Sequence, residues 1–458
     1  MKNRSVGFRF VGSRDKNKLL KGLIWAYFFL LLFEGALRKW ILPDYSTPLL
    51  VAREPIVLCI LFYSVYKRLF SYNLFSILFI IISFVSFIVA VFITHQNVVV
   101  ALYGVRIFFL HLPLMFVIGN VFRFNDVVKL GRVMLWLSIP MTVLILFQFY
   151  TPQSSWFNLG IAGDLGGAGF GGANGFFRPP GTFSFISGTV AFYSLLSCFV
   201  SFFWFNSKYI NRILLIASTF CLLIAIPFSI SRTLFFQFVL CVLFVLFLLM
   251  RKPKHLFYSF FLSVFIIMIL FFLSKTEFLG TAVDAFITRF IDANETEGGL
   301  VKGVAGNRFL GGLLEPIKAS VDMPFWGMGV GIGTNVGAKL IGSTDSFLAG
   351  EQEWARIVGE LGFLLGLSVI FLRVFLACKM IFSSLMKIKK MNYLPWLLSS
   401  YGFLLVLQGQ TAQPTNLGFL VVVGGLILAS LKSDSLRIRK KAKRPGYIKY
   451  GVQKLYFK

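Results

Sequence analysis

Charged residues that could take part in catalysis cluster in one stretch near the C-terminal third, beginning at Glu351. Side chains three and four residues apart on a helix share a face, so Glu353, Arg356 and Glu360 are predicted to face one another. From Phe363 the stretch continues as an apolar run that could enter a bilayer. Charges placed there are costly and typically mark a functional site; an ion-pair network that only stabilises the helix start is the alternative.

Three arginines are predicted to lie at the outer membrane boundary. Arg178 precedes an apolar run, Arg232 lies in a short turn between two runs, and Arg308 lies in a long mixed segment. A guanidinium group stays charged and can bind two phosphate oxygens at once. Three such groups together would suit a pyrophosphate on a lipid, whereas each one alone could equally extend to the interface or pair with a carboxylate.

Two glycine-rich segments accompany these residues. Residues 151–180 contain so much glycine that they are predicted to form a mobile loop without a stable element. The run from Gly327 to Gly333 resembles a dinucleotide fingerprint in spacing only, because no strand is predicted before it and no helix after it. This run is predicted to form either a plain turn or a nest of backbone N–H groups that binds an anion.

Metal chemistry has little support in the sequence. None of the three histidines (His95, His111 and His255) lies in the long segment 275–350, and its acidic residues match no metal-ligand spacing. No metal and no cofactor are therefore predicted, and the acidic residues are predicted to form a solvated surface. His111 is predicted to be a hydrogen-bonded interior group rather than a proton relay.

Two further charge pairs close in sequence, Glu34 with Arg38 and Arg53 with Glu54, are predicted to be interfacial ion pairs. The five cysteines all lie in or beside apolar runs, so they are predicted to be small core residues rather than disulfide partners.

The composition predicts an all-α polytopic membrane protein. Of the 458 residues, 57% are hydrophobic and 14% are charged, whereas about 25% are charged in soluble domains. The net charge of +27 comes mainly from the two tails and the loops assigned to the inside, which is the positive-inside bias of a cytoplasmic membrane protein. This distribution favours contact of the tails with anionic membrane lipids and argues against a nucleic-acid partner.

Twelve spans of about 20 residues are predicted, nine before the long outer segment 275–350 and three after it. The tails 1–18 and 432–458 are assigned to the cytoplasm, and helices are predicted at 278–290 and 308–321 of the outer segment. The spans are 19–37, 49–66, 74–93, 98–118, 130–150, 182–205, 213–229, 233–250, 256–273, 354–378, 393–407 and 417–431.

Between residues 178 and 366 the motifs resemble, in order and spacing, the superfamily of O-antigen ligases and O-antigen polymerases. The matching motifs are Arg178-Pro-Pro-Gly-Thr-Phe, Ser229-Ile-Ser-Arg232, Asn307-Arg308, the run from Gly327 to Gly333, and Glu351 nine residues before Glu360. The resemblance implies a multi-span glycosyltransferase of the C type without a nucleotide-sugar site, in the bacterial cytoplasmic membrane. Its substrates would be an undecaprenyl-pyrophosphate-linked oligosaccharide donor and a glycan acceptor.

The resemblance also implies roles for individual residues. Arg232 and Arg308 would hold the pyrophosphate. Arg178, Arg356 and Glu360 are predicted as further substrate-binding residues from their charge and position in this sequence. Where ligases have a histidine that activates the acceptor hydroxyl, this chain has Glu351, so the base is left open between Glu351 and Glu353. This departure favours a polysaccharide polymerase over a ligase.

Two other functions are alternatives. One is a ligase that transfers glycan to lipid A core or protein, and the other is a transporter of a lipid-linked glycan or small solute. A transporter would be expected to show broken helices and charges in the middle of the membrane. Expected partners besides the substrates are membrane lipids and other glycan-assembly proteins, such as a chain-length regulator.

Overall fold

The computed structural model describes residues 17–250, 275–297, 311–319, 324–334, 337, 340–341 and 352–432. Within these residues nine helices are long and apolar enough to cross a membrane, and two shorter apolar helices accompany them. The only strands described there form one pair of two residues each. The chain is therefore an all-α, multi-pass membrane protein, as its composition predicts.

The α-helices of eight or more residues, labelled in chain order, are α1 (Lys18–Ala36), α2 (Arg53–Tyr66), α3 (Leu74–Phe92), α4 (Val98–Arg106), α5 (Leu112–Val121), α6 (Phe124–Tyr150), α7 (Ile186–Phe205), α8 (Arg212–Phe228), α9 (Arg232–Leu249), α10 (Glu277–Glu297), α11 (Gly312–Ala319), α12 (Glu353–Ile388), α13 (Leu394–Gln408) and α14 (Pro414–Leu431). A single turn of helix, Ser46–Leu49, precedes α2. The strands are β1 (Phe170–Gly171) and β2 (Phe177–Arg178).

Eleven of the twelve predicted spans coincide with apolar helices in the part of the chain that the structure describes. The other predicted span, 256–273, lies outside the described residues. In the long outer segment, α10 covers the first predicted helix and α11 covers the described part of the second.

Polar caps set several helix starts. The side chain of Asn73 accepts from the Ser76 N–H before α3, and that of Asn97 accepts from two N–H groups at the start of α4.

Successive helices run antiparallel, so the links α1–α2, α3–α4, α6–α7, α8–α9 and α13–α14 all lie at one end of the bundle. The loop charges predict that this end faces outside, and it is called the outer end below. Helix α14 is largely buried and packs along α5. There Gly424 and Gly425 allow Met115 and Ile118 to approach closely, as small residues do between membrane helices.

Helix α12 corrects the prediction of one continuous span from Trp354. At Gly362 the backbone has φ 72° and ψ −170°, a conformation that only glycine adopts readily. Beyond this turn, Gly366 lies against Val358, and Arg373 pairs with Glu353. The first two turns of α12 therefore fold back on the rest as a helical hairpin.

The prediction that residues 151–180 lack a stable element is wrong. Strands β1 and β2 pair antiparallel, and side-chain amides supply the hydrogen bonds that a glycine-rich backbone needs. Asn158 donates to the carbonyls of Gln148 and Thr151, both at 3.0 Å, and Gln153 accepts from the Gly169 N–H at 3.0 Å. Because the segment is rich in glycine, its composition does not reveal that Asn158 and Gln153 stabilise a defined structure.

Candidate functional site

A buried network at the start of α12 joins the residues that the helical spacing predicts to share a face. Arg356 donates from Nη1 to Glu360 at 2.6 Å, and from Nη2 and Nε to Glu353 at 2.9 and 3.1 Å. All three side chains are at least 96% buried. The predicted shared face is confirmed, and its charged atoms are directed at one another.

Two further members of this network, Arg373 and Thr411, were not predicted. Arg373 Nη1 and the Thr411 hydroxyl both donate to Glu353 Oε1, at 2.7 and 2.5 Å. Arg373 also donates to the carbonyls of Val406 and Gly409 at the end of α13. The sequence does contain one sign of this part of the network. Arg373 lies inside the apolar run of α12, and a charge in such a place requires partners.

The five residues Glu353, Arg356, Glu360, Arg373 and Thr411 are called the carboxylate network below. Its two arginines balance its two carboxylates, so it is complete without a ligand charge. Arg356 and Glu360, predicted as substrate ligands, direct their charged atoms into the network. The Glu353 carboxylate accepts hydrogen bonds from Arg356, Arg373 and Thr411, and so it holds the two parts of the hairpin together. This arrangement fits a positioning residue better than a general base.

The glycine run from Gly327 caps the first part of α12. Met328 N–H donates to the Gly359 carbonyl at 2.8 Å, and Gly329 N–H donates to the Glu360 carbonyl at 3.0 Å. Gly333 N–H donates to the Glu360 carboxylate at 2.9 Å. The run was predicted to form either a plain turn or an anion nest, and the structure has features of both. The run is a turn, and the anion that it binds is the carboxylate of Glu360.

A second group of buried charges lies among α1, α2 and α4. Arg53 Nε is 2.9 Å from Glu34, and Arg106 pairs with Glu54. The predicted pair of Arg53 with Glu54 is wrong, because neighbouring residues on a helix point in different directions and each finds its partner on another helix. The predicted pair of Glu34 with Arg38 is present at 3.8 Å.

The residues Glu34, Arg38, Arg53, Glu54 and Arg106 are called the arginine cluster. All are buried except Glu54, which is partly buried, and three guanidinium groups face two carboxylates. The excess positive charge in a buried setting makes this cluster suited to holding an anion nearby. Of these contacts the sequence predicts only the local pair of Glu34 with Arg38, because the others join helices that are far apart in the chain.

His111 lies beside this cluster. Its Nδ1 is 3.3 Å from the Tyr27 hydroxyl and its Nε2 is 3.5 Å from Glu54. The prediction of a hydrogen-bonded interior histidine is confirmed. It ends a π-helical turn, Ile107–His111, between α4 and α5, and such turns are frequent at functional sites.

The glycine run connects the two charged groups. Gly331 packs directly against Gly104, two residues before Arg106, while Gly333 binds Glu360 of the carboxylate network. A side chain at either contacting glycine would separate α4 from the run. The carboxylate network and the arginine cluster are therefore held together through a few residues of backbone.

The segments with Arg178 and Arg232 also meet at the outer end. Arg178 is held in the β hairpin by a hydrogen bond from Nε to the Gly171 carbonyl at 3.1 Å, with its guanidinium 4.6 Å from the Phe170 ring. The hairpin packs on the turn that precedes Arg232, where Gly172 lies against Ile230.

The turn before Arg232 is strained. Ile230 has φ 45°, an outlier for a β-branched residue, and it is fully buried between Ser229 and Ser231. Such strain persists only where the surroundings impose it and is concentrated at functional sites. Arg232 then begins α9, where the helix N-terminus also favours an anion.

The tip of the hairpin reaches the long outer segment, because Asn174 Nδ2 donates to Thr288 of α10 at 3.2 Å. Two other predicted site residues, Glu351 and Arg308, lie outside the described residues.

The fold and these buried charges define a multi-pass, all-helical membrane protein with a polar outer end. Comparisons with protein-family models, curated proteins and solved structures found no match to the chain.

Proposed function

We propose that this chain polymerises oligosaccharide units linked to undecaprenyl pyrophosphate at the outer face of the bacterial cytoplasmic membrane, for O-antigen, exopolysaccharide or capsule assembly. The observation that carries the proposal is the contact of the Arg178 hairpin with the strained turn before Arg232, together with the bond from the hairpin tip to α10. The sequence motifs place Arg178 in the hairpin and Arg232 directly after the turn. Helix α10 precedes Arg308 in the chain.

In the proposed reaction, an acceptor hydroxyl oxygen attacks the anomeric carbon of the donor sugar, and the bond from that carbon to pyrophosphate breaks. The leaving pyrophosphate takes the electron pair, and Arg178, Arg232 and Arg308 stabilise its growing charge. Glu351 accepts the proton of the hydroxyl. Glu351 is two residues before Glu353, which the carboxylate network holds in place.

The test is extension of a lipid-linked oligosaccharide by purified protein. Arg232→Lys keeps the charge but loses the planar fork, so we expect a fall in rate of about tenfold to a hundredfold. Arg212→Lys is the matched control, because Arg212 is an exposed arginine that starts a helix at the opposite end. Equal rates for the two variants at equal protein levels would remove Arg232 from the site.

A transporter is the second candidate, and two observations favour it. Arg106 and His111 lie well inside the span Val98–Val121, and α12 is broken at Gly362. The same preparation, placed in vesicles, separates the two functions. Movement of labelled lipid-linked oligosaccharide without a new glycosidic bond would support the transporter, whereas longer glycans support the polymerase.

Acceptor choice separates the polymerase from a ligase. A polymerase is expected to extend a second lipid-linked oligosaccharide, and a ligase to require lipid A core or a protein. Product length on a gel, with each acceptor supplied alone, decides between them.

A further inference from the structure

A cavity of about 290 Å³ opens between α3, α5, α12 and α14 at the inner end of the bundle, opposite the charged groups described above. Its wall includes the rings of Phe75 and Phe116, and its polar side includes Lys379, Lys432 and Asn120. The cavity is thus part apolar and part cationic, and it lies where α3 begins and α14 ends.

The two lysines have no acidic partner among the residues that the structure describes. Lys379 Nζ lies 5.4 Å from the centre of the Phe75 ring, and Lys432 Nζ donates to the Asn120 side-chain oxygen. Both lysines are exposed, so a ligand from outside the protein can reach them. The cavity therefore carries two cations that pair with no carboxylate in the described part of the chain.

We propose that this cavity binds the phosphate headgroup of an anionic phospholipid of the inner leaflet. The volume is near the lower limit of about 300 Å³ for ligand sites, so it suits a headgroup rather than a whole lipid. Exposed Phe375, stacked on Phe75, continues the apolar wall along the bundle, where an acyl chain could lie. Basic pockets between membrane helices on the cytoplasmic side bind such headgroups.

The test measures binding of phosphatidylglycerol and phosphatidylcholine to the purified full-length protein by native mass spectrometry. Wild type is expected to retain phosphatidylglycerol preferentially. The double variant Lys379→Gln with Lys432→Gln is expected to bind it about thirtyfold more weakly, since each lysine near a lipid surface contributes about 1 kcal/mol. Lys389→Gln with Lys390→Gln removes the same charge from an exposed inner turn and should leave binding unchanged.

A charge-conserving variant shows whether the glutamine substitutions act through the lost charge or through a loss of folding. Lys379→Arg with Lys432→Arg is expected to keep the preference for phosphatidylglycerol, which would tie the effect to charge at the cavity. Equal retention of the lipid by both glutamine variants would overturn the proposal. Equal protection from thermal unfolding by inorganic phosphate and by phosphatidylglycerol would also overturn it, because the ligand would then be a free anion.

Discussion

Glu353 is held by four donor atoms, and this geometry separates its role from that of Glu351. Its carboxylate accepts from Arg356, Arg373 and Thr411, and its side chain is 1% exposed. Removing one partner of a buried ion pair leaves the other charge uncompensated and costs about 3–5 kcal/mol. We therefore expect Glu353→Gln to lower the thermal unfolding temperature and the protein level, with partial loss of activity.

Glu351→Gln is the contrasting variant. It keeps the shape of the side chain but removes the proposed base, so glycan extension should stop while donor binding and thermal unfolding stay unchanged. Extension assays, donor binding and thermal unfolding of the two variants are measured side by side. A well-folded but inactive Glu353→Gln protein, alongside an active Glu351→Gln protein, would transfer the proposed base role to Glu353.

Among single residues, local contacts were predictable and distant ones were not. The spacing of Glu353, Arg356 and Glu360 is enough to place them on one face, because helical geometry fixes contacts three and four residues apart. The pairing of Arg53 with Glu34 depends on how two helices pack, which no spacing encodes. Arg106 and Arg373 are both charges within apolar spans, so each is predicted to need a partner. Only the fold identifies those partners.

At the scale of elements, the α12 hairpin depends on Gly362. A side chain there would be strained by the backbone conformation and would meet the backbone of Phe325 and Gly327. The conformational strain alone costs about 1–3 kcal/mol, and the overlap adds to it. We expect Gly362→Ala to unfold at a lower temperature in detergent and to lose activity as the carboxylate network separates.

Gly22→Ala is the matched control for this substitution. Gly22 lies inside α1 with open space around its Cα, so alanine should leave stability unchanged or raise it by up to about 1 kcal/mol. Equal unfolding temperatures for the two alanine variants would mean that the turn at Gly362 does not constrain the hairpin.

Elements were predictable where hydrophobic length decided them. Apolar runs long enough for a bilayer located most helices, since the membrane requires internally bonded backbone. The reversal at Gly362 was not predictable, because a glycine within an apolar run does not by itself indicate a turn. The ordered loop 151–180 escaped because Asn158 and Gln153 act through specific hydrogen bonds that composition does not reveal.

For the whole molecule, the proposed function requires the carboxylate network, the arginine cluster and the Arg178 hairpin to face away from the cytoplasm. All three lie at the end of the bundle opposite the basic turn at Lys387–Lys390. The positive-inside rule predicts this orientation, because short basic loops tend to remain on the cytoplasmic side.

Cysteine labelling tests this orientation in a variant in which all five native cysteines are replaced. Asp284→Cys on α10 and Lys389→Cys in the inner turn both introduce thiols at exposed positions. With a membrane-impermeant maleimide we expect Asp284→Cys to react in spheroplasts, and Lys389→Cys to react only after the membrane is opened. The opposite pattern would place the charged end in the cytoplasm, where an outer-face polymerase could not reach its substrate.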